Sequence, residues 1–67
     1  MSWERYSDDY GPRVALIFPY DNKAKDALKA ELGFPAVKWD GEKKAWSIRD
    51  KPDELSRALE ILEEFGY

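Results

Sequence analysis

The 67-residue chain contains no cysteine and no histidine. The first absence excludes disulfides and thiolate zinc sites. The second excludes imidazole metal ligands and any Ser/His or Cys/His catalytic pair. Only carboxylates remain for acid–base or metal chemistry. A cysteine-free chain is compatible with a reducing compartment, and a cytoplasmic, intracellular protein is expected. Long hydrophobic runs are missing too. The longest, Val14 to Phe18 closed by Pro19, falls far short of the roughly 20 residues a membrane helix needs. Met1 to Pro12 shows no basic stretch followed by an apolar run, so it does not read as a signal peptide, and no membrane partner is expected. With 43% apolar residues and three Trp, four Tyr and three Phe, the chain is too hydrophobic for disorder. Its length suits one small domain, residues 1–67, with little room for a deep pocket.

Four segments carry periodicity. Residues 12–19, PRVALIFP, are too short for a globular helix and read as a strand between two prolines. Residues 21–32 read as a helix. Asp21 is the N-cap, Ala24, Ala27, Leu28 and Leu32 form an apolar stripe, and Gly33 is the stop before Pro35. Residues 36–49 alternate with period two on either side of Asp40-Gly41-Glu42-Lys43-Lys44, the pattern of a hairpin. Residues 51–65 form a second helix. Pro52 suits its first position and Asp53 and Glu54 its first turn. Leu55, Ala58, Leu59, Ile61, Leu62 and Phe65 form one face, ended by Gly66. The expected fold is α+β, a two-layer sandwich of order β-α-β-β-α, with a small three-stranded sheet covered by two helices on one face. Residues 13–65 are its core. Residues 1–12 pack on or beside the sheet, and residues 2–6 could add a fourth, edge strand.

Strand alternation assigns the faces. Val37, Trp39, Trp46 and Ile48 are expected to face the helices, together with Val14, Leu16 and Phe18. Lys38, Ser47 and Arg49 then join Arg13, Ala15 and Ile17 on the second face. Either Trp3, Tyr6 and Tyr10 fold over that face or it meets a partner. The formal net charge of −3 is unevenly spread. Residues 1–12 carry −2, residues 13–51 carry +3 and residues 52–67 carry −4. The middle of the chain is therefore locally basic, and phosphates respond to local fields within about one Debye length, roughly 8–10 Å in physiological salt.

The stretch Trp39-Asp40-Gly41-Glu42-Lys43-Lys44-Ala45-Trp46-Ser47-Ile48 resembles the central hairpin of the HARP domain of Swi/Snf-type annealing helicases. Trp39, Asp40, Lys44, Trp46 and Ile48 stand at the family's aromatic, Asp, basic, Trp and aliphatic positions. Upstream, Tyr20 after an apolar strand and Leu28-Lys29 late in a helix are similar to the family's strand–Tyr–helix–Lys portion. The resemblance covers roughly residues 13 to 60. It departs between Lys29 and Trp39, where Gly33-Phe34-Pro35 lengthens the spacing. No GxxxxGK[ST] loop occurs, so there is no helicase motor. The resemblance implies a non-catalytic module that engages branched DNA.

The candidate contacts for DNA phosphates are Lys38, Lys43, Lys44 and Arg49 on the hairpin, with Lys29 on the first helix. As ordinary surface cations they would simply be solvated, and Asp21 and Lys25 would pair along the helix. Trp39 and Trp46 could stack on bases, but their parity with Val37 and Ile48 assigns them to the core. Asp8-Asp9 and Glu63-Glu64 lack the ligand set of a hard cation and read as solvated charge. Neither metal nor cofactor is expected, and the chain reads as a binding domain rather than an enzyme. The expected partner is forked or single-stranded DNA. The alternative is a protein partner, met through the acidic second helix (Asp53, Glu54, Glu60, Glu63, Glu64) or the open sheet face, as in a small standalone regulator or inhibitor.

Overall fold

The computed structural model describes residues 1–19, 21–33 and 36–67. Tyr20, Phe34 and Pro35, and the expectations attached to them, lie outside the described residues. The elements are β1 (Ser2–Asp8), β2 (Gly11–Ile17), α1 (Asn22–Leu32), β3 (Lys38–Asp40), β4 (Ala45–Arg49) and α2 (Pro52–Glu64). The strands form one antiparallel sheet in the order β1-β2-β4-β3. The architecture is the expected two-layer α+β fold with the edge strand realised. β1 runs to Asp8 rather than ending at residue 6, and pairs with β2 along its whole length.

A tight turn at Asp9 and Tyr10 makes that pairing possible. The Asp8 carboxylate accepts the Tyr10 backbone N–H at 2.8 Å. Gly11 then takes a φ of +124°, a region that residues with a Cβ rarely enter. α1 begins where the Asp21 carboxylate accepts the N–H groups of Lys23 and Ala24 at 3.0 and 3.1 Å, satisfying donors that the first helical turn leaves unpaired. It ends at Gly33, φ +71°, whose N–H reaches the Lys29 carbonyl. α2 starts on Pro52, which has no N–H to leave unpaired, and carries Asp53 and Glu54 in its first turn.

The core lies on one face of the sheet. Val14 and Leu16 of β2, Ile48 of β4 and Val37 meet Ala24 and Leu28 of α1 and Leu55, Ala58, Ile61 and Leu62 of α2. Each fully buried Val, Leu or Ile among them contributes about 1.5–3 kcal/mol. Phe18 and Tyr67 stack beside the core with ring centroids 5.8 Å apart, and the Tyr67 hydroxyl donates to Asp21 at 2.8 Å. The C-terminus is thereby tied to the start of α1.

Two apolar expectations are corrected. Trp39 has the expected parity, opposite Trp46, but is 52% exposed. β3 is a three-residue outer strand whose one sheet neighbour is β4. Correct parity there does not bring a helix over the ring. Phe65 is 37% exposed because α2 ends at Glu64 and the chain turns at its C-cap.

The second face is closed mainly by polar residues. Ala15, Ala45 and Ser47 are small and buried. The Tyr6 hydroxyl spans from the β1 edge to the β3 edge and donates to Asp40 at 2.6 Å. Tyr6 and Asp40 stand at opposite corners of the sheet, and a twisted sheet is concave along one diagonal. Lys43 folds back to Glu4 at 2.9 Å. Of the three aromatics expected to fold over this face if no partner meets it, Tyr6 reaches across it and Tyr10 stays 89% exposed. Trp3 does not cover it: it pairs with Leu16 in the ladder, placing it on the helix side, with the Arg5 guanidinium 5.0 Å from its ring.

Candidate nucleic-acid interface

Chain ends and turns from three strands meet at the edge of the open face that holds the β1–β2 turn. Tyr10, Pro12, Arg13, Lys38, Arg49, Asp50 and Lys51 line a groove of about 630 Å³ there. Four of these side chains are cationic and one is acidic. They are far apart in sequence and converge because β2, β4 and β3 are neighbours in the sheet, with Arg13 opposite Arg49 and Lys38 opposite Ser47.

Each cation is held differently. Arg13 is 5% exposed. Its Nε donates to Ser47 Oγ at 2.9 Å. Its Nη2 donates to Ser47 Oγ and to the carbonyls of Ser47 and Ala36 at 2.7, 3.0 and 3.1 Å. Lys38 Nζ lies 3.2 Å from Asp8 and 4.8 Å from the centre of the Tyr10 ring. The Tyr10 N–H first, and Lys38 beside it, hold the Asp8 carboxyl below its ordinary range, so Asp8 is a firm counter-charge. Arg49 hydrogen-bonds Glu54 at the start of α2 through both Nε and Nη2. Lys51 is exposed and, among the described residues, makes no ion pair.

Of the five cations expected from sequence, the groove brings together Lys38 and Arg49. Lys43 lies further along the open face, its ammonium held charged chiefly by its hydrogen bond to Glu4 and 5.0 Å from the Tyr6 ring. Lys44 stands just before the opposite end of β4, roughly 17 Å from Arg49 at the usual rise per residue. It adopts a left-handed φ of +53° and lines a smaller groove of about 180 Å³ with Trp39, Trp46, Ile17 and Phe18. Lys29 reaches Trp46 from α1, its Nζ 5.0 Å from the ring. Trp39 meets Trp46 edge-on, centroids 5.3 Å apart. Lys51 and Arg13 were missed as members of the groove. The basic count of the middle segment included both, but only the strand order shows that they sit beside Lys38.

The acidic residues of α2 divide as well. Glu54 is taken by Arg49 and Glu60 by Arg57, the latter at 3.1 Å. Glu60, Glu63 and Glu64 share a shallow surface near the C-terminal end. Among the described residues, no group of three or more acidic side chains is placed to hold a metal ion, and no helix is long and apolar enough to cross a membrane.

No protein-family model matches the chain, and no solved structure matches it. Over 65 aligned residues it is 34% identical to chitin deacetylase 3 of Cryptococcus neoformans var. neoformans serotype D, a match covering 87% of this chain and 16% of that protein. The chain thus spans about one sixth of the length of the curated relative it matches, too small a share to carry that enzyme's activity over.

Proposed function

We propose that this chain is a non-catalytic, intracellular DNA-binding module of the HARP-like kind, contacting phosphates through the groove at the β1–β2 end of the sheet. One observation carries the reading: Arg13, Lys38, Arg49 and Lys51 converge on a single groove although the chain as a whole is acidic. Asp8 and Glu54 already pair with Lys38 and Arg49. Phosphate must compete with those carboxylates, which fixes the cations in position but limits affinity. Lys51 offers charge that meets no such competitor among the described residues. Lys43, Lys44 and Lys29 lie outside this groove, Lys43 paired with Glu4, Lys44 in the smaller groove and Lys29 over Trp46. Fluorescence anisotropy with forked, single-stranded and duplex DNA in low salt tests the reading. Binding in the micromolar range, lost on joint Lys38→Glu and Lys51→Glu replacement, is the expected result. No binding by the wild type under those conditions refutes it.

The acidic end of α2 favours a second reading. Glu60, Glu63 and Glu64 share one surface next to exposed Phe65, chemistry suited to a basic protein partner. A partner lost on charge reversal at those three residues, with DNA binding unaffected by the Lys38 and Lys51 replacements, supports this reading over the first.

A further inference from the structure

We infer that the groove takes single-stranded DNA, with one unpaired base stacked on Tyr10. The inference rests on the DNA-binding reading and deepens it. Tyr10 is 89% exposed, against 52% for Trp39 and 50% for Met1. Its exposure is built into the hairpin. Its backbone N–H is held by Asp8 at 2.8 Å, and the positive φ of Gly11 turns the chain immediately after it. The ring therefore projects at the mouth of a cationic groove from a fixed turn. Lys38 Nζ lies over one face of the ring, 4.8 Å from its centre, so the cation for the phosphate stands on one side of the platform and the base stacks on the other. Arg13, Arg49 and Lys51 line the same groove.

This combination selects the form of the nucleic acid. In a duplex each base is already stacked on its neighbours and offers no face to an isolated ring. An unpaired base offers its whole face, and aromatic side chains in single-strand sites use that contact regardless of base identity. The groove's volume of about 630 Å³ falls in the range of small-ligand sites, room for a base and its sugar. The Trp39–Trp46 pair is a poorer platform, because each Trp already engages the other and Trp46 is partly buried against the core.

The test compares three labelled probes by anisotropy in low salt: an oligothymidylate, the same strand with abasic sites in place of its bases, and a duplex of equal length. The wild type binds the oligothymidylate most tightly. Tyr10→Ala weakens that binding roughly tenfold, the range expected for one lost base–aromatic stack. Tyr10→Phe, which keeps the ring, recovers most of the affinity. The abasic strand needs no variant and binds the wild type about as weakly as oligothymidylate binds Tyr10→Ala. Equal affinity of wild type and Tyr10→Ala for oligothymidylate, tight binding of the abasic strand, or preference for duplex each overturns the inference. If the Lys38→Glu, Lys51→Glu protein still loses DNA in any of those cases, the DNA-binding reading stands without it. No binding of any probe by the wild type overturns both.

Discussion

Replacing Arg13 by alanine is expected to remove a large fraction of the domain's stability. The guanidinium is almost fully buried and ties β2 to β4 and to the segment before β3, through Ser47 Oγ and the carbonyls of Ser47 and Ala36. Hydrogen bonds from a charged donor contribute about 1.5–3 kcal/mol each when broken singly. They are not additive, and removing the charge also removes its desolvation cost. A net loss of about 3 kcal/mol follows from these terms. A chain of this length has only about 3–10 kcal/mol in total. With a urea slope near 1 kcal/mol/M, typical of the smallest domains, the midpoint falls by roughly 3 M. Ser47→Ala leaves the arginine in place with part of its acceptor set gone, and costs about 1–2 kcal/mol. Because both changes remove the same bonds, the double variant costs less than the two singles together. Urea unfolding of wild type, both singles and the double gives all four corners of the cycle. An unchanged midpoint for Arg13→Ala, or strict additivity, refutes the assigned role.

Other consequences concern the core, a turn and pH. Leu62→Ala, at a position with no exposed surface, is expected to cost about 2–5 kcal/mol by thermal or urea unfolding. Lys44→Gly relieves a left-handed φ of +53° and stabilises the hairpin by about 0.5 kcal/mol, the small surplus of strain relief over glycine's entropy cost. Asp8, Asp21 and Asp40 have carboxyl groups held below their ordinary value of 3.8, chiefly by the Tyr10 N–H, the Ala24 N–H and the Tyr6 hydroxyl respectively. Their stabilisation is complete above that value and is lost as pH falls through the lowered native values. The melting temperature should therefore drop on the acid side, and less so in Asp40→Asn. Tyr6 is raised above 10.0, first by burial and then by Asp40, and Tyr67 is raised by its bond to Asp21. The stability they contribute is present below that value and lost as pH rises through the higher native ones. Tyr6→Phe and Tyr67→Phe flatten the alkaline limb of the same melting profile.

Local chemistry made much of this fold legible. Asp21, Gly33 and Pro52 mark helix ends by mechanisms that act within a few residues, and the structure uses all three. The alternation of Val14, Leu16, Trp46 and Ile48 fixed the sheet's core face. β1 was harder to read because SWERYSD carries only two large apolar residues, Trp3 and Tyr6, on opposite faces. Its pairing comes from β2 across a turn built by Asp8 and Gly11. Trp39 shows a different limit: periodicity gives the side of the sheet but not how far the helices extend over it. The groove was only half visible. Lys38 and Arg49 were singled out as hairpin cations, whereas Arg13 and Lys51 join them through a strand order that no local pattern encodes. Lys43, Lys44 and Lys29 lie close to these residues in sequence but are placed elsewhere by the hairpin's length and by α1.

The salt dependence of DNA binding tests the central claim most directly. If Lys38, Arg49 and Lys51, with Arg13 behind them, neutralise phosphates in the groove, each releases counterions from the strand. About three to four such contacts to a single strand give a slope of log K against log salt of roughly −2 to −3. Lys38→Glu with Lys51→Glu should flatten that slope as well as weaken binding. Affinity that does not change with salt, or a double variant that keeps the wild-type slope, would contradict the assignment of this groove as a phosphate-binding site.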